Sequence, residues 1–407
     1  LFPSTTLFRS MFADIYSIRN KISGKITHLP HPDLAIVIVI PCFREPEILK
    51  TLRSVSQCRL PESSVEVIVV INHSETSTEE TKSQNCQTRK ELDYWSERQS
   101  SDKLNFFVIG PVEFKKKWAG AGLARKLGMD EAVLRFNMLN KPDGIIVSLD
   151  ADTLADENYL LEISNHFREN PFQAGATISF SHQTEGLNEK HLEGVLLYEK
   201  YMGYYKRAMG FTGYPYPMFT VGSAFAVTAG AYVKRGGMNR RQAGEDFYFL
   251  QNLVQIGPVG EITSTAVHPS ARLSNRVPFG TGPVLRKWME GEEDLKKTYS
   301  FKAFADLKFF FDRLSMFYHI SVETYNILLA DLPQSVETFL KYDDFWNELN
   351  VLNNNCATFS SFHLRFYQKF NAFKILKYLN FSHGKYYEKV DLDEQLFMLN
   401  AVQKHCN

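Results

Sequence analysis

The chain has 407 residues, enough for one α/β domain with a large core and a smaller appendage. Its 46 basic and 46 acidic side chains cancel, so it lacks the long-range positive field of a nucleic-acid or anionic-membrane binder. Cys42, Cys58, Cys86, Cys356 and Cys406 are odd in number and never in C-x-x-C spacing, which points to neither a disulfide framework nor a zinc site and fits a reducing cytoplasm.

The first ten residues, LFPSTTLFRS, resemble the translation of a sequencing-adapter oligonucleotide joined in frame to Met11, and residues 1–10 are set aside as a non-native leader. Residues 11–33 form an N-terminal segment. From residue 34, short β-branched runs alternate with helical stretches, the pattern of a mostly parallel sheet flanked by helices. Leu34 to Ile40 is an unbroken apolar strand, buried on both faces and ended by Pro41. After the loop CFREP, Ile48, Leu49, Leu52 and Val55 fall at helical spacing. Val65 to Ile71 is a second strand and Leu104 to Ile109 a third, and the polar excursion over 73–102 between them reads as a loop plus an exposed helix. A helix spans Gly122 to Val133, and Gly144 to Leu149 is a fourth strand that runs into Asp150.

Ligands of open α/β sheets sit beyond the carboxyl ends of the strands, so the polar residues after positions 40, 71 and 149 are expected on one rim. Leu192, Val195, Tyr198, Met202, Tyr205 and Met209 make one helical stripe, read as core rather than as a ligand box. From about residue 295 aromatic-rich helices replace strands, first with Phe301, Phe304, Leu307, Phe311, Leu314 and Phe317, then over 334–350, 360–380 and 391–404. The division expected is an α/β domain over 34–294 and a helical region over 295–407, the latter packed as core with a lipid-surface role as its alternative. No run reaches the ~18–20 apolar residues that span a bilayer, so the expected location is the cytoplasm, with the inner face of the membrane as the outer limit.

Chemistry concentrates in two places. LDADT, residues 149–153, ends a hydrophobic strand, and carboxylates one residue apart on extended backbone point to the same side. Asp150 and Asp152 therefore suit one hard divalent cation, Mg²⁺ or Mn²⁺, able to neutralise a diphosphate leaving group. Haloacid-dehalogenase phosphatases also place D-x-D after a strand, but on their first strand and with Thr or Val where this chain has Leu154. In AGEDFYFL, residues 243–250, Gly244 frees the backbone before Glu245 and Asp246. A carboxylate there is a candidate general base, or else an acid stabilised at a helix N-terminus.

Taken in order, PCFREP, VINHSE, AGAGLARKLGMDEA, LDADT, VGSAFAV and AGEDFYFL resemble glycosyltransferase family 2, over residues 34 to about 290. The resemblance implies a GT-A fold and a nucleotide-sugar donor, with the turn of Pro41, Phe43 and Glu45 against the base and ribose. Asn72 stands where the family has a base-binding Asp; it offers a donor as well as an acceptor, which leaves the base open. Arg125 and Gly128 are in register with the family's A-R-N-x-G element, and Arg125 is expected to face the donor phosphates or the D-x-D carboxylates. Gly222 and Ser223 match the small-residue turn near the acceptor and count among the donor-site residues.

By the same resemblance Asp150 and Asp152 are metal and diphosphate ligands, Asp246 is the catalytic base with Glu245 beside it, and His268 lies where some GT-A enzymes supply a third metal ligand. Arg272 and Arg276, with FGTG at 279–282, form either a lid over the diphosphate or an ordinary connector. The chain lacks the Q-x-x-R-W of processive synthases, so it is expected to add one sugar per encounter, with inversion, to a hydroxyl of a glycan, a lipid-linked acceptor or a small molecule. A retaining GT-A enzyme, a sugar nucleotidyltransferase and a non-catalytic relative are the alternatives.

Overall fold

A computed structural model describes residues 10–218, 221–241, 244–274 and 280–404. They fall into two compact units, the first from residues 10–185 and 221–283, the second from 186–218 and 284–404.

The first unit opens with a short helix, α1 (Asp14–Asn20). β1 (Leu34–Cys42) then leads through α2 (Ile48–Ser56) to β2 (Ser64–Ser74), and α3 (Glu79–Gln99) leads to β3 (Leu104–Phe114). α4 (Ala121–Met138) returns the chain to β4 (Ile145–Ser148). β1 pairs in parallel with β2 on one side and β4 on the other. Past β4 come β5 (Leu154–Ala155), α5 (Tyr159–Glu169) and β6 (Gly175–Phe180). A long helix of the second unit, α6 (Glu189–Phe211), precedes β7 (Phe225–Thr228), α7 (Ala229–Arg235), α8 (Glu245–Leu253) and β8 (Val259–His268). Among the described residues the sheet has eight strands in the order β3-β2-β1-β4-β7-β6-β8-β5. β7 runs antiparallel to β4 and β6, and β5 antiparallel to β8.

The expected mostly parallel sheet flanked by helices, with a helical C-terminal region, is the architecture observed. Ile36, Val37, Ile38, Val39 and Ile40 are all 0% exposed, as a strand covered on both faces requires. Each such side chain contributes roughly 1.5–3 kcal/mol of burial. The chain runs from β1 outward to β3 and then restarts at β4 on the other side of β1, so the reversal leaves a crevice at the carboxyl ends of β1 and β4.

α4 packs on β1 and β2. Gly128 lets the helix approach the sheet: a Cβ there would lie 2.4 Å from Val39 Cγ1 and 3.0 Å from Val70 Cγ2. Its charged residues are buried because the N-terminal segment covers them. Asp130 accepts from Tyr16 Oη at 2.7 Å and Tyr232 Oη at 2.9 Å, and Glu131 accepts from Lys25 N at 2.8 Å. Arg135 reaches Glu66 at 2.6 Å and the His28 carbonyl at 2.8 Å.

In the second unit α6 buries Val195, Tyr198, Met202, Tyr205 and Met209, the stripe expected to be core, while Leu192 remains half-buried. Tyr204 and Tyr205 meet Phe304 edge-on at 5.9 and 6.0 Å between ring centres. Phe310 lies edge-on to Phe345, Phe366 and Phe370 at 5.8–5.9 Å, an arrangement that suits the ring quadrupoles. The helix expected over 334–350 is broken at Asp344, whose φ of 52° ends one helix before Phe345 begins the next. The one expected over 360–380 is divided by Asn371, which caps Ala372–His383. Among the described residues no helix is long and apolar enough to cross a membrane.

Candidate active site at the strand ends

The D-x-D pair sits directly beyond β4, where Leu149 N still donates to Val39 O at 3.1 Å. The backbone there is not extended, as the same-side geometry supposed. It turns, with Thr153 N donating to Asp150 O at 3.2 Å. The turn is held from both flanks: Thr51 Oγ1 of α2 donates to Ala151 O at 2.9 Å, and Gln183 Nε2 to Asp152 O at 2.9 Å. Thr51 and Gln183 were not singled out in the sequence, since neither residue type signals a backbone staple.

Each aspartate faces a guanidinium. Arg125, near the start of α4 and 1% exposed, donates from Nη2 to Asp150 Oδ1 at 2.5 Å and from Nη1 to Glu245 Oε1. Glu245 and Asp246 open α8, whose N-cap, Gly244, has a φ of 66°. Gly222 borders this bridge: a Cβ there would stand 3.0 Å from Arg125 Nη2 and 3.2 Å from Asp150 Oδ2. Its carbonyl accepts from Ser148 Oγ of β4 at 2.7 Å. Ser223 is 0% exposed, and its Oγ has no partner among the described residues.

Asp152 Oδ2 accepts from Arg272 Nη2 at 3.0 Å, while Arg272 also grips Glu45 through both ends of its fork, with Nη1 2.9 Å from Oε1. Glu45 is 3% exposed and Arg272 about a third exposed. The expected residues Arg125, Asp150, Gly222 and Glu245 thus meet in one group, and Glu45, Asp152 and Arg272 in another. Arg276 lies outside the described residues.

His268, the expected third metal ligand, stands at the end of β8. β8 pairs with β5 so that His268 stands opposite Leu154, past the aspartate turn. Its Nε2 is 2.9 Å from Asp156 Oδ1 and its Nδ1 3.0 Å from Ser181 Oγ. Among the described residues no three His, Cys, Asp or Glu side chains are gathered to hold a metal ion.

The charge balance nevertheless fits a hard divalent cation. Five carboxylates, of Glu45, Asp150, Asp152, Glu245 and Asp246, stand against the two guanidiniums of Arg125 and Arg272. Burial, and then the Asp150 charge, pushes Asp152 up to about 6. Burial pushes Glu245 up to about 7 against the opposing pull of Arg125, and raises Asp246 in the same way. A cation on the aspartate pair would relieve this surplus of negative charge, and carboxylate oxygens are the donors that Mg²⁺ and Mn²⁺ take.

At the other end of the crevice Pro41 is buried in β1 and Phe43 is 37% exposed. Asn72, 2% exposed at the end of β2, donates from Nδ2 to Cys42 O at 3.2 Å. A carbonyl only accepts, so this bond fixes which end of the amide is which and leaves Oδ1 without a partner among the described residues.

Residues 37–228 match the model of the family described as glycosyl transferase family 2. No curated protein matches the sequence at a significant level. Among solved structures, that of S. aureus TarS 1-349 in complex with UDP-GlcNAc is 13% identical, covering 76% of this chain and 87% of that one with a TM-score of 0.42. The same fragment in complex with UDP is 13% identical over 73% and 78%, with a TM-score of 0.38. S. aureus TarS itself is 12% identical over 87% of this chain and 56% of that one, with a TM-score of 0.40.

Proposed function

We propose that this chain, a glycosyltransferase whose residues 37–228 match glycosyl transferase family 2, moves a sugar from a nucleotide-sugar donor to an acceptor hydroxyl, with a divalent cation, inversion and one addition per encounter. The observation that carries this reading is the buried Arg125 bridge, which puts Asp150 beyond β4 and Glu245 at the head of α8 on one guanidinium. Asp150 and Asp152 would hold Mg²⁺ or Mn²⁺, which supplies charge neutralisation for the departing diphosphate. Arg272, a third exposed and anchored by Glu45, is the guanidinium placed to exchange Asp152 for a diphosphate oxygen.

Glu245 is 4% exposed and engaged by Arg125, so the half-buried Asp246 beside it is the carboxylate left to act as base. The acceptor's proton passes to Asp246, its oxygen attacks the anomeric carbon, and the bond from that carbon to the diphosphate oxygen breaks. The raised proton affinity of Asp246 brings it closer to neutral pH, where a general base works best. At the nucleoside end Asn72 presents an acceptor, which suits a base with a hydrogen on its ring nitrogen, such as uracil, over one with a bare nitrogen, such as cytosine.

The test is a panel of nucleotide sugars with Mn²⁺, read by nucleoside diphosphate release and by melting temperature. Asp246→Asn is expected to keep the donor-induced stabilisation and to lose turnover by roughly 10²–10⁴-fold. A variant that still turns over removes Asp246 as the base, and a wild-type chain that neither binds nor consumes any donor removes the donor reading. The anomer of the product decides between inversion and retention.

A further inference from the structure

α3 reaches the rim chiefly through one buried side chain. Asn85 is 1% exposed, and its amide makes three hydrogen bonds to two different strand ends. Nδ2 donates to Asn72 O at 2.9 Å and meets His73 Nδ1 at 3.3 Å, while Oδ1 accepts from Arg44 N at 3.4 Å. The Asn72 carbonyl only accepts and the Arg44 N–H only donates, so the orientation of the amide is unambiguous. His73 Nδ1 is then an acceptor and the ring proton sits on Nε2, 3.9 Å from Glu113. One position earlier on the helix, Gln84 Oε1 accepts from Arg44 Nε at 3.2 Å.

Arg44 has a φ of 47°, a left-handed conformation that a residue with a side chain keeps only where its surroundings hold it. The turn at Arg44 separates its neighbours. Phe43 goes outward, 37% exposed, and Glu45 goes inward, 3% exposed, to Arg272. The same amide that holds this turn also holds the backbone of Asn72.

We infer that Asn85 is a positioning residue for the donor site, setting Phe43, Glu45 and the Asn72 amide through its bonds to Arg44 and Asn72; this rests on the donor reading above. The donor's nucleoside end therefore depends on a helix that contributes no residue of its own to contact it. Packing alone would ask only for a side chain of this size, whereas positioning asks for two N–H donors on one face and an acceptor on the other.

The experiment is calorimetric titration of the full chain with UDP, CDP, GDP and ADP, each with Mn²⁺, alongside Mn²⁺ titration without nucleotide. Asn85→Asp keeps the shape but turns an oxygen toward the Asn72 carbonyl. It is expected to weaken the preferred nucleotide by about tenfold, the worth of a hydrogen bond lost from a buried network, with Mn²⁺ affinity within about twofold of wild type. In turnover, KM should rise more than kcat falls. Because a buried acid can cost folding, Gln84→Ala is the second arm; it removes only the brace on the Arg44 side chain from a half-buried position, and is expected to weaken the nucleotide by about threefold with an unchanged melting temperature. Unchanged nucleotide affinity in every variant that folds overturns the inference while leaving the donor reading intact. A wild-type chain that binds none of the four nucleotides overturns both.

Discussion

A guanidinium buried to 1% exposure survives only where carboxylates take up its charge, and Arg125 has Asp150 at one end and Glu245 at the other. Asp152 is an acid that burial, and then the Asp150 charge, disfavours as an anion more than its bond to Arg272 favours it. Its carboxyl is raised to about 6 from an ordinary 3.8, so between those values the folded chain binds more protons than the unfolded one. Its contribution to stability is therefore full below the ordinary carboxylate range and is lost as pH rises through about 6. Glu245, raised to about 7, acts in the same direction. In metal-free buffer at about pH 8, Asp152→Asn is expected to raise the melting temperature by on the order of 2 °C and to abolish the stabilisation by Mn²⁺; at about pH 5 the gain should disappear, because Asp152 is by then protonated. Scanning calorimetry at the two pH values measures it, and a variant that melts below wild type at the higher pH contradicts the account.

At the scale of single elements, α3 and α4 show how a helix serves a site with different parts of its length. α4 gives Arg125 from near its start, while Lys126, Asp130, Glu131 and Arg135 further along are buried beneath the N-terminal segment and the sheet. Its distance from the sheet is set at Gly128. Gly128→Ala puts a methyl 2.4 Å from Val39 Cγ1, and is expected to cost about 1–3 kcal/mol in urea unfolding with an unchanged slope, as overpacking does. Were the substitution neutral, the close approach would not be holding helix to sheet. The sequence over 73–102 reads as a loop plus an exposed helix because its apolar residues show no period. α3 buries Thr81, Asn85, Thr88, Leu92 and Ser96, spaced three and four apart, so the period is present but written mostly in small polar residues. A hydrophobic pattern cannot display it.

Across the whole molecule the two compact units are not two consecutive stretches of chain. The second takes residues 186–218 from the middle of the sequence as well as those from 284 on. The reason lies in α6, whose buried face meets Phe304 within that unit. A chain ended at residue 294 would keep α6 and lose that partner. It is expected to expose Val195, Tyr198, Met202, Tyr205 and Met209, to bind a hydrophobic dye and to scatter light, where the full chain does neither. A truncated chain that stays monodisperse without binding the dye would show that α6 does not need its C-terminal partners.

Much of this was legible in the linear pattern. Unbroken apolar runs such as Leu34 to Ile40 and Val65 to Ile71 are too short for core helices and too apolar for one-sided strands, so they had to be central strands of a covered sheet, and the polar residues following them had to share a rim. That is local information, carried by residues a few positions apart. What the pattern did not contain is which charges face one another: the grip of Arg272 on Glu45 across 227 residues, the reach of Arg125 to Glu245, the bonds of His268 to Asp156 and Ser181, and the hold of Asn85 on two strand ends. Those pairings follow from strand order and register, which come into being only when the sheet assembles, and no periodicity along the chain encodes them.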